Sequence, residues 1–172
     1  MGIRYYAYAF DSQLTEQALT DPHSILSDDP LADAWGLEPH AAVSYTTFEQ
    51  SVPERDMLYL DKAWGLLQDI TGQGRPDGQP RPAFAMFEGQ VTMHGYGWEP
   101  WVRTLTPEGV AKVSRDLDLI TDAEAEALLR RGRHSWRNLD DDVSYALTYL
   151  AKARTWAAHL VADGRGLVYT IG

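Results

Sequence analysis

The segment Met93-His94-Gly95-Tyr96-Gly97-Trp98-Glu99-Pro100-Trp101-Val102-Arg103 gathers a histidine, a tyrosine, two tryptophans and an arginine around two glycines. Such side chains can build an aromatic wall for a ligand, with His94 to carry a proton. They can equally anchor a protein partner, because Trp, Tyr and Arg dominate interface energies. The bland alternative is a loop whose tryptophans plug the core beside a strand, and residue types alone weigh the readings equally. His94, Tyr96, Trp98, Trp101 and Arg103 are therefore the first candidates for contact with a partner or ligand.

Two further residues invite chemistry. Arg154 falls inside an apolar helical stripe formed by Val143, Ala146, Leu150, Ala153, Ala157, Leu160 and Val161. A guanidinium keeps its proton, so burial demands a carboxylate or a bound anion. It can clamp a substrate carboxylate or phosphate bidentately. An internal bridge, with Asp61 as one partner, or a side chain reaching outward explains it with less. Asp61 and Lys62 diverge by about 100° on the helix expected there, so they do not form one acid–base unit. Asp61 borders an apolar arc and can serve as acceptor or base, although most such carboxylates are surface charges. If Arg154, Asp61 and His94 converge, they make an anion clamp, an acid or base and a proton carrier for a small-molecule enzyme or anion binder.

No recognised catalytic set backs that idea. The chain has no cysteine, which excludes disulfides, thiolate metal sites and cysteine nucleophiles. His23, His40, His134 and His159 show no metal-binding spacing, so no metal and no cofactor is expected. No Ser stands in G-x-S-x-G, and the G-x-G at Gly72 and Gly74 lacks a preceding strand and a third glycine. The formal charge of −10 disfavours nucleic acid and anionic membranes, and suits a basic protein partner or plain solubility. Arg130, Arg131, Arg133, His134 and Arg137 form a basic cluster after paired helices. Across 106–137, however, Lys and Arg are matched one for one by Asp and Glu, and helix-end arginines contacting Asp140 to Asp142 account for the cluster. No apolar run resembles a signal peptide or a bilayer span, so a cytoplasmic protein is expected.

The elements that must position these residues follow from local patterns. Ile3 to Phe10 is Tyr-rich and reads as a strand. Short helices are expected over Leu14 to Leu19 and Leu31 to Gly36, the second with Pro30 in its first turn. Val43 to Phe48 is a strand or extended connection. Glu54 to Thr71 reads as a mostly buried helix, with Met57, Leu60, Ala63, Trp64, Leu67 and Ile70 on one side. Gly72 to Pro82 is a loop, Ala83 to Phe87 a short apolar element, and Trp98 to Leu105 a strand. Thr106-Pro107 opens a helix to about Leu119, and Thr121-Asp122-Ala123-Glu124 is a capping box for another to about Arg131. Asp116 and Asp118 read as a surface pair on the first of these. The last helix is expected over Val143 to Ala162, and Leu167 to Ile171 is a final strand. One domain over residues 1–172 is expected, with apolar residues at 44% sufficient for a core.

Met1-Gly2-Ile3, Leu60-Asp61-Lys62-Ala63-Trp64, Leu105-Thr106-Pro107-Glu108-Gly109-Val110 and the helix–Gly–strand ending occur in an order that resembles the YfbM-like family, bacterial proteins of unknown function. The resemblance extends over nearly the whole chain. It implies a three-layer α/β sandwich and a soluble cytosolic protein, and it implies no reaction and no catalytic residue. Together with the termini that read as strands, it leads to a single α/β domain with a mixed sheet flanked by helices. The leading functional expectation is a non-enzymatic binding module using residues 94–103.

Overall fold

Strand β1 (Tyr5–Phe10) alternates so strictly that its odd and even residues enter different cores. The computed structural model describes residues 2–37, 48–72, 78–132 and 138–172. Tyr5 and Ala7 face one way; Tyr6, Tyr8 and Phe10 face the other. Both sides of β1 are therefore apolar, and both must be covered.

β1 pairs with β2 (Met57–Asp61) on one side and with β6 (Gly166–Ile171) on the other. Beyond β6 lies β5 (Trp101–Leu105), giving the order β2-β1-β6-β5. All three ladders are antiparallel, so the expected mixed sheet is an antiparallel one. The reversal is fixed where Arg4 and Gly172 exchange backbone hydrogen bonds, at 2.8 and 2.9 Å.

Tyr5, Leu60, Leu105, Leu167 and Tyr169 pack beneath four helices, α3 (Trp64–Gly72), α4 (Pro107–Leu119), α5 (Asp122–Gly132) and α6 (Leu139–Asp163). The opposite face, with Tyr6, Tyr8, Phe10 and Met57, meets α1 (Thr15–Thr20), α2 (Pro30–Trp35) and the segment between them. The result is the expected three-layer α/β arrangement. Burying side chains such as Leu60, Leu117 and Leu150 contributes roughly 1.5–3 kcal/mol each.

Local signals set the helix ends. Thr106 Oγ1 accepts from Gly109 N–H at 3.2 Å with Pro107 at the first helical position, and Thr121 Oγ1 accepts from Glu124 N–H at 3.1 Å. Helix α6 begins at Leu139, ahead of the expected Val143, because Asn138 caps it and Asp140 to Asp142 fill its first turn. No described helix is long and apolar enough to cross a membrane.

Two expectations need correction. Residues 54–71 are not one helix: Met57–Asp61 is an edge strand, and only Trp64–Gly72 is helical. Met57, Leu58 and Leu60 are all buried because core lies on both sides of β2, and a short apolar run of that kind looks the same as a buried helix face. Residues 98–105 are likewise two strands. Pro100 has no N–H for a ladder, so β4 (Gly97–Glu99) ends before it and pairs with β3 (Thr92–His94) in a separate two-stranded sheet. Residues 43–47, residues 73–77 of the expected loop including Gly74, and Arg133, His134 and Arg137 of the basic cluster lie outside the described residues.

Candidate functional site

The β3–β4 hairpin turns on Gly95, whose φ of 52° lets two residues reverse the chain between His94 and Gly97. Tyr96 at the tip is fully exposed. Met93 lies across the ladder from Trp98, and both are exposed, Trp98 at 40% and the nearby Trp101 at 38%. His94 Nε2 and Glu99 Oε2 stand 3.4 Å apart across the same hairpin, also in solvent. Neither tryptophan plugs the core.

Trp101 belongs to the large sheet, where it pairs with Ile171. Its indole lies flat against the backbone of Gly89: a Cβ there would meet the ring at 2.3 Å, and Gly89 also holds a φ of 111°. Gln68 Nε2 donates to the Gly89 carbonyl at 2.8 Å and keeps that backbone in place. Arg103 forms an ion pair with Glu88 just beyond. The structure thus brings His94, Tyr96, Trp98 and Trp101 onto one connected surface segment, while the Arg103 charge is spent on Glu88.

Asp61 sits elsewhere, at the end of β2, and its partners are internal. Its Oδ1 accepts from Arg4 Nε and from the Tyr59 hydroxyl, both at 2.9 Å, and its Oδ2 accepts from Tyr145 of α6 at 2.7 Å. Tyr59 in turn accepts from Trp35 Nε1 at 3.2 Å, and the Arg4 guanidinium lies 5.1 Å over the Trp35 ring. Asp61 adopts a φ of 47°, where the β1–β2 register slips and the chain turns into α3. Burial alone would raise the Asp61 carboxyl; the Tyr145 and Tyr59 hydrogen bonds and the Arg4 charge outweigh it and hold it below the usual carboxylate range. Burial, reinforced by the bond to Asp61, pushes the Tyr145 phenol up. Three donors occupy this carboxylate, which is how a structural knot is built rather than a free base.

Arg154 is also engaged internally. Its Nη1 donates to Asp122 Oδ1 at 2.8 Å, its Nε to the Leu117 carbonyl at 3.2 Å, and its Nη2 to the Ile120 carbonyl. These carbonyls end α4, where Leu117 also accepts from Ile120 N–H at 3.2 Å, and the guanidinium of α6 adds donors to that helix end. The partner is Asp122 and not Asp61. Asp61 and Arg154 hold different internal partners and His94 faces Glu99 on the hairpin, so among the described residues the three share no hydrogen-bond or ion-pair partner.

Asp116 is not a surface residue. It receives Arg81 through both oxygens, at 3.0 and 3.1 Å, and also accepts from Ala83 N–H at 2.7 Å. That bridge staples the 78–86 segment, a 3-10 helix over Pro82–Met86, onto α4. Arg130 of the basic cluster contacts Glu126 and Asp140 at 2.8 and 2.7 Å. A cleft between β2 and α6 contains none of the candidate site residues read from sequence. It is lined by Arg55, Lys152, Trp156 and His159 among others. Lys152, Trp156 and His159 recur at helical spacing, but the strand opposite them was hidden within what read as a helix.

Comparison with known proteins adds a fold. No family model matches the chain, and no curated protein matches it. Among solved structures, the chain is similar to the crystal structure of YfbM from Escherichia coli, a protein of unknown function. The TM-score is 0.57 at 15% sequence identity, covering 99% of this chain and 100% of that one. The fold is YfbM-like.

Proposed function

We propose that this chain with a YfbM-like fold is a cytoplasmic, non-enzymatic binding protein that holds a protein partner through residues 94–103. One observation carries the reading: Met93, Tyr96 and Trp98 are exposed on one hairpin, and Trp101 is exposed at the start of the β5 strand that follows it. Contiguous exposed aromatics cost solubility, and such a patch marks an interaction surface. Tyr and Trp are also the residues that yield most binding energy when a partner desolvates them. His94 and Glu99 supply a polar rim, and the chain's charge of −10 favours a partner with basic flanks. The small-molecule reading has less support, because Asp61 and Arg154 already have internal partners.

The test is a photo-crosslinking residue placed at position 96 in living cells, with position 119 as control, since Leu119 is exposed on α4. A discrete adduct from position 96, lost in Trp98→Ala and absent from position 119, is expected. No adduct, or the same adducts from both positions, overturns the proposal. An adduct of two copies of this chain replaces the foreign partner with self-association.

A further inference from the structure

β2 is an edge strand, and along its free side a cleft of about 530 Å³ opens between Met57 and Leu58, the 50–55 segment and α6. That volume lies within the roughly 300–1,000 Å³ of small-molecule sites. Lys152, Trp156 and His159 stand at i, i+4 and i+7 of α6, so one helix face presents all three.

The lining combines three properties that point to one class of ligand. Its charges are Arg55 and Lys152 against Glu54, a cationic excess within a chain of net charge −10. Both cations are loosely held. Arg55 reaches Asp56 and Asp163 only at 3.7 and 3.8 Å, and Lys152 Nζ lies 5.1 Å over the Tyr149 ring with no carboxylate in ion-pair range among the described residues. Met57, Leu58 and Ala151 give the cleft an apolar floor. Trp156, one of its walls, is only 4% exposed, yet its Nε1–H has no hydrogen-bond partner. A buried donor left unmade is costly and uncommon; because the Nε1 has no contact with solvent, a ligand oxygen satisfies it only as the indole turns toward the cleft.

We propose that this cleft binds a small organic monocarboxylate with an apolar body. The carboxylate meets Lys152 and Arg55 and, as the indole turns, supplies the acceptor that Trp156 lacks, while the body lies against Tyr59 and Ala151. Glu54, the acid of the lining, disfavours a second negative charge on the ligand. This site is separate from the aromatic hairpin and does not depend on it.

The test follows the indole N–H signals of the six tryptophans by nuclear magnetic resonance, with Trp156→Phe identifying the one that matters. Benzoate, cyclohexanecarboxylate and hexanoate are titrated, with benzyl alcohol as the neutral control. At least one carboxylate should shift the Trp156 signal saturably. Lys152→Ala, at an exposed position, should weaken that binding about tenfold, and benzyl alcohol should bind at least about tenfold more weakly. Trp98→Ala in the hairpin should leave the titration unchanged. The proposal is overturned if no carboxylate shifts Trp156 selectively by about 20 mM, if the alcohol binds as well, or if Lys152→Ala titrates like the wild type.

Discussion

Arg4 Nε donates to Asp61 Oδ1 at 2.9 Å, and this pair closes the end of the β1–β2 ladder where its register slips. Asp61→Asn keeps an acceptor at that position but leaves the mostly buried Arg4 without its counter-charge. A loss of about 2 kcal/mol is expected by urea unfolding.

The same carboxylate gives a pH signature. Its folded value is lowered, so the unfolded chain binds the extra proton first as the solution is acidified. Its stabilisation is whole above the ordinary Asp range and fades as pH falls below about 4. Stability measured from pH 6 downward should therefore fall less steeply in Asp61→Asn than in the wild type. Parallel acid limbs would contradict this.

Arg154→Met should cost about 2 kcal/mol, because at the end of α4 the Ile120 carbonyl loses its Arg154 donor and Leu117 keeps only the Ile120 N–H. Asp122→Ala should cost under about 1 kcal/mol, since Asp122 is exposed and its pair is solvent-screened. If the two losses are equal in thermal unfolding, the ion pair to α5 and not the carbonyl capping of α4 carries the contribution of Arg154.

Gly89→Ala should destabilise by about 2 kcal/mol or more, through the Cβ clash with Trp101 and the unfavourable φ. Adding Trp101→Ala should recover part of the loss, the non-additivity a double-mutant cycle detects. By contrast, Tyr96→Ser and Trp98→Ser should leave stability within about 0.5 kcal/mol, as exposed positions do.

What could be read from sequence was whatever is decided within one turn of chain. Thr106-Pro107, Thr121 and Gly164 mark helix ends because a cap is made by residues three or four apart. The Tyr5–Phe10 strand declares itself through its composition. Met57–Asp61 does not, because a strand covered on both sides loses the polar alternation that would separate it from a buried helix. The partners of Asp61 and Arg154 were out of reach for another reason. Arg4 is 57 residues from Asp61 and Ile120 is 34 from Arg154, so only the tertiary fold decides which carboxylate or carbonyl each guanidinium meets. The 94–103 segment was legible as a collection of residue types. That its aromatics face water, and that Pro100 splits it between two sheets, was not.

The position of β6 between β1 and β5 also sets an order of events. The strand pairing that joins Tyr5 to Ile171 spans almost the whole length of chain, and no ladder of β1 with β6 can form until residues 166–171 have been made. During synthesis, helices α3 to α6 can coil and dock on one another while β1 has only β2 beside it. A nascent chain stalled before residue 166 would therefore carry a tyrosine-rich strand with one open edge, the state in which a growing polypeptide is most in need of a chaperone.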